Sequence, residues 1–228
     1  MIEFKHVTKS YGRNDALTDI NLTIHEGELI FIQGHSGAGK STLLKLIARI
    51  ETASLGQVFF GKQNLKELTQ NAVPFYRRKL GLIFQDPHLI PNRTIFDNVA
   101  LPLLINGFYD MDIEKRVLAA LNRVGLLNKA QAYPLMLSGG EQQRVSIARA
   151  IVHKPRIILA DEPTGNLDPA LSFEIMKLFE RFHQVGATVV VASHDEALLS
   201  RFNHRKIVLD QGKCITPETT EHEEMSYV

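Results

Sequence analysis

A glycine-rich stretch lies near the start of the chain. It reads Gly34-His35-Ser36-Gly37-Ala38-Gly39-Lys40-Ser41 and is followed by Thr42. Glycines at this spacing let successive backbone N–H groups converge on phosphate oxygens, and a helix that follows adds the positive end of its dipole. Lys40 can then reach the β- and γ-phosphates of a nucleoside triphosphate in a catalytic role, and the Ser41 hydroxyl can bind Mg²⁺. We therefore predict a phosphate-binding loop here; the alternative is a chance glycine-rich turn.

Two adjacent acids end an apolar run in the second half of the chain. Asp161 and Glu162 directly follow four residues of a buried-strand pattern. Paired acids at a strand end suit a division of labour, in which Asp161 holds Mg²⁺ while Glu162 orients or deprotonates an attacking water. The alternative is a pair of solvated acids at a strand-to-loop junction. A phosphate loop in the same chain favours the catalytic interpretation.

A third motif, here called the signature motif, reads Leu137-Ser138-Gly139-Gly140-Glu141-Gln142-Gln143. Ser138 and Glu141 have the spacing of a capping box, so the motif could simply begin a helix. Two glycines in a first helical turn lower helix propensity, which is unfavourable unless the backbone must approach a ligand closely. A helix start with free N–H groups and a serine hydroxyl is a second phosphate-binding device.

Strand and helix patterns alternate around these motifs. Apolar runs at 28–33, 80–84, 156–160 and 188–192 predict strands, and residues 40–48, 139–152 and 171–182 have helical patterns. This alternation predicts an α/β fold with a largely parallel sheet. Before residue 60, the strand patterns follow one another with little helix between them, which is typical of an antiparallel β portion.

The pattern changes to helix alone between residues 91 and 135, where apolar residues recur at helical spacing. We expect residues 1–90 and 136–216 to form the α/β ATP-binding core and residues 91–135 to form an inserted all-helical subdomain. Residues 217–228 would be an acidic tail. That tail carries four glutamates without lysine or arginine, and a solvated end is its simplest interpretation.

The overall composition excludes several classes of protein. The 228 residues are 44% hydrophobic and 22% charged, unlike collagen-like, disordered or disulfide-framework chains. The single cysteine, Cys214, cannot form an internal disulfide, which favours a reducing compartment. A net charge of +1 does not favour a nucleic-acid partner. No apolar run approaches the ~20 residues of a membrane-spanning helix, so work on a membrane would need a separate membrane protein.

The phosphate loop, the signature motif and the Asp161-Glu162 pair, in this order, resemble those of ATP-binding subunits of ABC transporters. The resemblance covers about residues 1–215. It implies a RecA-like P-loop fold, ATP and Mg²⁺ as cofactors, and hydrolysis of ATP to ADP and phosphate with Glu162 placing the water.

This resemblance also assigns roles to residues outside the three motifs. Tyr11 matches an aromatic residue that stacks on adenine, Gln85 a glutamine that contacts Mg²⁺, and His194 a histidine that contacts the γ-phosphate. In the family arrangement, the signature motif closes on the nucleotide of a second subunit, which implies an ATP-dependent homodimer. The residues expected to act in trans are Ser138, Gly139, Gly140, Glu141 and, within Asn166-Leu167-Asp168, Asp168.

Within the family, residues 73–78, 81–86 and 93–100 are most similar to cell-division ATPases. This likeness implies an FtsX-like permease that docks on the helical subdomain beside Gln85, at the cytoplasmic face of the inner membrane, and controls cell-wall hydrolysis. One alternative is the ATPase subunit of a lipoprotein-release or macrolide-export transporter, whose ATP motifs are identical. A chromosome-maintenance ATPase is disfavoured, because about a hundred residues without sustained heptads separate Lys40 from Leu137.

Overall fold

Strands and helices alternate through the part of the chain that the computed structural model describes, residues 1–165 and 167–215. The strands in these ranges are β1 (Ile2–Tyr11), β2 (Asn14–Ile24), β3 (Leu29–Gln33), β4 (Leu55–Phe60), β5 (Gln63–Asn64), β6 (Leu80–Ile83), β7 (Ile157–Asp161), β8 (Thr188–Ala192), β9 (Arg205–Asp210) and β10 (Lys213–Cys214). The α-helices are α1 (Lys40–Ile47), α2 (Val73–Arg77), α3 (Ile95–Ile105), α4 (Asp110–Arg123), α5 (Gly139–Ile151), α6 (Pro169–Gln184) and α7 (Glu196–Leu199). The predicted acidic tail at 217–228 and Asn166 lie outside the described residues.

Two sheets organise the fold. The six-stranded sheet has the order β10-β9-β3-β8-β7-β6, and only its edge pair β9–β10 is antiparallel in the described part of the chain. The four-stranded sheet, β2-β1-β4-β5, is antiparallel throughout. These sheets confirm the predicted α/β fold with a largely parallel sheet and an antiparallel portion near the start.

The central strands are buried on both faces. Every residue of β3, β7 and β8 is buried. Since successive strand residues point to opposite faces, Leu29 and Phe31 join one apolar cluster while Ile30 and Ile32 join a second, which also contains α1. Parallel strands covered on both faces read as continuous apolar runs, which is why these strands were predictable. Polar side chains of the predicted site therefore lie at or after the ends of these strands.

The stretch from residue 91 to 135 contains α3, α4, one short 3₁₀ turn and the start of a second at Pro134, and no strand. Val99 and Leu103 of α3, and Val117 and Leu121 of α4, pack into the same apolar cluster as α5 and one face of the large sheet. The helical nature of this stretch agrees with its pattern. Its separation from the core as a subdomain stays a prediction, because one apolar cluster runs through both. None of the helices in residues 1–165 and 167–215 is long and apolar enough to cross a bilayer.

Candidate active site

The carboxyl ends of β3, β7 and β8 meet at one edge of the large sheet, where a cleft of about 620 Å³ opens. Parallel sheets bind ligands at this edge because loops from neighbouring strands converge there. The lining residues are Ala16, Gly34, His35, Ser36, Gly37, Gly39, Lys40, Ser41, Thr42, Gln85, Glu162, His194 and Glu196. All of these except Ala16 and Glu196 are residues that the sequence predicts for the site.

The phosphate loop joins β3 to α1 through backbone positions that only glycine suits. Gly39 has φ 104°, in the left-handed region, and a Cβ atom there would lie 2.5 Å from the carbonyl oxygen of Ala16. A Cβ atom on Gly34 would lie 2.3 Å from the carbonyl oxygen of Leu209. The loop therefore needs glycine both for conformation and for space. Ala38 is buried beneath the loop rather than exposed to the cleft.

Lys40, the first residue of α1, holds its ammonium group at the floor of the cleft. Its side chain is only 7% exposed. Nζ donates to the carbonyl oxygens of Gly34 (2.6 Å) and His35 (3.1 Å) and lies 3.4 Å from Glu162 Oε1. A buried ammonium needs such partners to offset its lost hydration. The loop thus fixes a positive charge where phosphate oxygens would enter.

The two acids at the end of β7 reach adjacent residues at the start of α1. Ser41 Oγ donates to Asp161 Oδ1 at 3.0 Å, and Glu162 faces Lys40. His194 Nδ1 lies 2.9 Å from Glu162 Oε1 and donates to it. The backbone of Glu162 has φ 47°, a left-handed conformation that is unfavourable for a non-glycine residue and concentrates at active sites. This turn brings the Glu162 carboxylate, which is 11% exposed, against both Lys40 and His194.

Ser41 and Asp161 offer the donors expected of a magnesium site. Burial raises the pKa of Asp161 above its usual value; the Ser41 hydroxyl opposes that shift and the Glu162 carboxylate adds to it. A hydroxyl and a carboxylate oxygen are the hard donors that Mg²⁺ prefers, with phosphate and water oxygens as its other ligands. The residues present therefore fit Mg²⁺.

Gln85 lies in the exposed loop after β6 and lines the cleft. The strand ends at Ile83, one residue earlier than its pattern predicts. Helix α5 is tied to this loop by three hydrogen bonds. The Gln143 amide donates to the carbonyl oxygen of Phe84 (3.2 Å), and the Arg149 guanidinium donates to those of Pro87 (2.6 Å) and His88 (2.9 Å).

Two further predicted residues stand at or beyond the margin of the cleft. The side chain of His194 follows β8 and is 66% exposed, so it closes the outer side of the Glu162 carboxylate. Tyr11 is not among the described residues that line the cleft. It ends β1 with the Lys9 ammonium 4.8 Å from its ring centroid. Stacking of Tyr11 on adenine stays a prediction.

The signature motif begins α5, which starts at Gly139 with Ser138 as its N-cap. Its capping box is complete: the Glu141 N–H donates to Ser138 Oγ at 3.3 Å, and the Glu141 carboxylate accepts from the Ser138 N–H at 3.0 Å. Ser138 and Gly139 are exposed, and Gly140 is half-buried. Asp168 is also exposed and caps α6 by accepting from the Leu171 N–H at 3.0 Å. No residue of the motif is among the described residues that line the cleft, so action in trans stays a prediction for this set.

The capping box supports a prediction about acid stability. The Lys129 ammonium, 2.6 Å away, and the Ser138 N–H lower the pKa of Glu141 to about 2. Since the folded value lies below the unfolded one, this stabilisation is complete above about pH 4.5 and is lost as the pH falls towards 2. We expect Glu141→Gln to lower the free energy of unfolding by about 1 kcal/mol at pH 7. Urea unfolding at pH 7, 4 and 3 should show that the difference in unfolding free energy between the wild-type chain and Glu141→Gln becomes smaller as the pH falls.

The matched control for that prediction is Glu114→Gln. Glu114 is exposed on α4 and forms no ion pair within residues 1–165 and 167–215. Its substitution should leave unfolding nearly unchanged at each pH. If Glu141→Gln loses the same stability at pH 7 and at pH 3, the ionised Glu141 carboxylate is not the source of the stabilisation.

Sequence reasoning missed three residues at or beside the cleft and a fourth beside the signature motif. Ala16 and Glu196 line the cleft, Asp210 contacts His35, and Lys129 contacts Glu141. Ala16 and Asp210 reach the phosphate loop from far away in the chain and belong to no local motif. Glu196 was within reach of sequence reasoning, because it lies only two residues after His194, at the start of α7.

This chain matches the family model described as ABC transporter over residues 17–165. It is 54% identical to the cell division ATP-binding protein FtsE of Escherichia coli (strain K12) over 213 residues, which are 93% of this chain and 96% of that relative. The chain belongs to the ABC transporter family. As an ATP-binding subunit of the ABC family it is an ATPase, and the cleft just described is its candidate active site.

Two further ABC relatives extend the comparison. The cell division ATP-binding protein FtsE of Bacillus subtilis (strain 168) is 46% identical over 220 residues, 96% of each chain. A solved dimeric ATP-binding cassette in a post-hydrolysis state, bound to ADP and Pi, superposes with a TM-score of 0.90 at 39% identity, and the match covers 95% of this chain and 97% of that one. These relatives share the ABC fold along nearly the whole of this chain.

Proposed function

We propose that this ABC ATPase forms an ATP-dependent homodimer and works with an FtsX-like permease at the cytoplasmic face of the inner membrane. Closure of the dimer would be transmitted through that permease to control cell-wall hydrolysis during division. Support comes from relatives named as cell division ATP-binding proteins and from a dimeric solved cassette. The reaction is hydrolysis of ATP; the work it drives is a change of shape.

One observation is the main support for the proposed dimer. The cleft is lined by Lys40, Ser41 and Glu162, whereas Ser138 and Gly139 are exposed and are not among the described residues that line it. A two-fold dimer places the same patch of each subunit against its partner, so both halves can be completed at once. Ser138, Gly139, Gly140, Glu141 and Asp168 would then complete the partner's cleft.

Within each cleft, the chain's own residues would divide the work. Phosphate oxygens compete with Glu162 for the Lys40 ammonium, which would leave the carboxylate hydrogen-bonded to His194 and available to an attacking water. Ser41 and Asp161, with Gln85 nearby, would hold Mg²⁺, which neutralises charge on the phosphates when bound. Positioning and electrostatics supply most of the rate in such transfers.

Mixing two defective chains tests the homodimer. Ser138→Asp keeps a good N-cap but sets a carboxylate against the partner's phosphates, so we expect it to hydrolyse ATP poorly. A Lys40→Ala chain is defective in the other half of the cleft. In an equal mixture, random pairing leaves about a quarter of the composite sites intact, and phosphate release should recover towards that fraction. Ser138→Asn, which keeps the cap without the charge, is the control.

Two results would contradict this arrangement. Ser138→Asp could turn over at the wild-type rate, or the mixture could stay inactive although light scattering shows ATP-dependent dimers. For the membrane partner, purification of the tagged chain from detergent-solubilised membranes should recover an FtsX-like permease. Recovery of a lipoprotein-release permease instead would overturn the division role and favour the export alternative.

A further inference from the structure

The imidazole of His35 stands between two hydrogen-bond acceptors at the lip of the cleft. Nδ1 lies 2.6 Å from the carbonyl oxygen of Ser36, and Nε2 lies 3.0 Å from Asp210 Oδ1. A carbonyl and an ionised carboxylate can only accept, while a neutral imidazole carries a single N–H. Both contacts are hydrogen bonds only when the ring carries two protons and a positive charge.

We propose that Asp210 is a positioning residue for nucleotide binding: it holds His35 as an imidazolium at the lip of the cleft, where that charge attracts the phosphates of the nucleotide. The site would then contain two cations, the permanent charge of Lys40 at the floor and the protonation-dependent charge of His35 at the lip. Asp210 is 175 positions from His35 and lies in no motif.

The hairpin that carries Asp210 is itself fastened to the phosphate loop. The Gly212 N–H donates to the carbonyl oxygen of Ala38 at 3.2 Å, and the Thr18 N–H donates to the carbonyl oxygen of Gly212 at 2.8 Å. The carbonyl oxygen of Leu209 abuts Gly34, which leaves no room for a side chain there. Asp210 is therefore set at a fixed distance from His35 rather than placed on a free end.

Some of the groups around His35 favour protonation of its ring, and others oppose it. Hydrogen bonding to the Ser36 carbonyl and then to Asp210 raises the pKa of His35 above its usual value, while the Lys40 ammonium lowers it. Across the cleft lie two carboxylates, Glu162 and Glu196, and a second imidazole, His194. The His35 side chain is 57% exposed, so water screens these effects and the expected change in affinity is modest.

The sign of the pH dependence follows from the charge. As the pH falls through the titration of His35, the ring gains its proton and phosphates bind more tightly; as the pH rises, that contribution disappears. Loss of the Asp210 carboxylate should move the titration to lower pH, so the affinity at neutral pH should fall. Linkage requires the reverse as well: a bound nucleotide should favour the protonated ring.

Calorimetric titration with ADP at pH 6, 7 and 8 tests this inference on the full chain. Relative to His35→Gln, which cannot be charged, the wild-type chain should bind ADP about threefold more tightly at pH 6 than at pH 8. Dividing the wild-type affinity by that of His35→Gln at each pH removes the effect of protonation of ADP itself, because that effect is the same for both chains. Asp210→Asn should lose most of the advantage at pH 7, and His35→Arg should keep it at every pH.

The control is Asp19→Asn. Asp19 forms an exposed pair with His6 at 2.8 Å, but neither residue lines the cleft in the described structure. This variant should bind ADP as the wild-type chain does. In NMR titrations, the midpoint of the His35 ring should be lower in Asp210→Asn and unchanged in Asp19→Asn.

Wild-type affinity in Asp210→Asn at all three pH values, together with an unchanged His35 midpoint, would overturn the inference. So would an equal change in Asp19→Asn, which would show a general charge effect. If thermal unfolding shows that Asp210→Asn is not folded, His35→Gln and His35→Arg provide the test. If these two variants bind ADP with the same affinity as each other, both at pH 6 and at pH 8, the inference is overturned. Binding of ADP by the wild-type chain at pH 8 establishes the nucleotide site independently.

Discussion

Glu162→Gln is expected to slow ATP hydrolysis by about 10²–10⁴-fold while ATP still binds. The carboxylate lies between the Lys40 ammonium, 3.4 Å away, and His194 Nδ1, 2.9 Å away. Glutamine has the same shape and can still accept from both partners, but it cannot take a proton from water. Phosphate release at saturating ATP measures the rate, and equilibrium binding of a fluorescent ATP analogue measures retention of the nucleotide.

Because the trapped nucleotide is not consumed, light scattering should show an ATP-dependent dimer of this variant at concentrations where the wild-type chain is largely monomeric. The control is Glu174→Gln, which removes an exposed glutamate on α6 whose carboxylate pairs with Lys177. Hydrolysis by Glu162→Gln at the wild-type rate would show that another group activates the water.

Lys40→Ala is expected to weaken ATP binding by about 10²-fold or more, because it removes a desolvated ammonium from the floor of the phosphate site. The substitution also removes the hydrogen bonds from Nζ to the carbonyl oxygens of Gly34 and His35, which stabilise the conformation of the phosphate loop. Calorimetric titration with ATP and Mg²⁺ at constant ionic strength measures the loss.

Lys40→Met separates the charge from the packing, since methionine keeps a buried stem of similar length. It should lose as much affinity as alanine does. Lys66→Met, at an exposed lysine remote from the cleft lining, should bind as the wild-type chain does. Affinity retained in both Lys40 variants would mean that backbone N–H groups alone hold the phosphates.

Most of the cleft could be predicted from the sequence because its residues are local to strand ends. Once β3, β7 and β8 are recognised as parallel neighbours, Lys40, Glu162 and His194 must approach one another at their carboxyl edge. Continuous apolar runs made these strands visible, and Ser138 with Glu141 marked the start of α5 correctly.

What the sequence could not predict depends on long-range geometry. The left-handed backbone at Glu162 turns that carboxylate towards Lys40, which no propensity of glutamate indicates. Ala16 and Asp210 are brought to the loop by hairpins of different sheets. The apolar cluster shared by α3, α4, α5 and the sheet also could not be read from periodicity, which finds an apolar face but not its partner.

The hydrogen bonds from Gln143 and Arg149 to residues 84, 87 and 88 have a mechanical consequence. They connect α5 directly to the loop that carries Gln85, so in the proposed function a displacement of α5 would shift this loop at the edge of the cleft. Nucleotide binding beside Gln85 and a displacement of α5 would then be coupled. By thermodynamic reciprocity, each must alter the other's free energy by an equal amount.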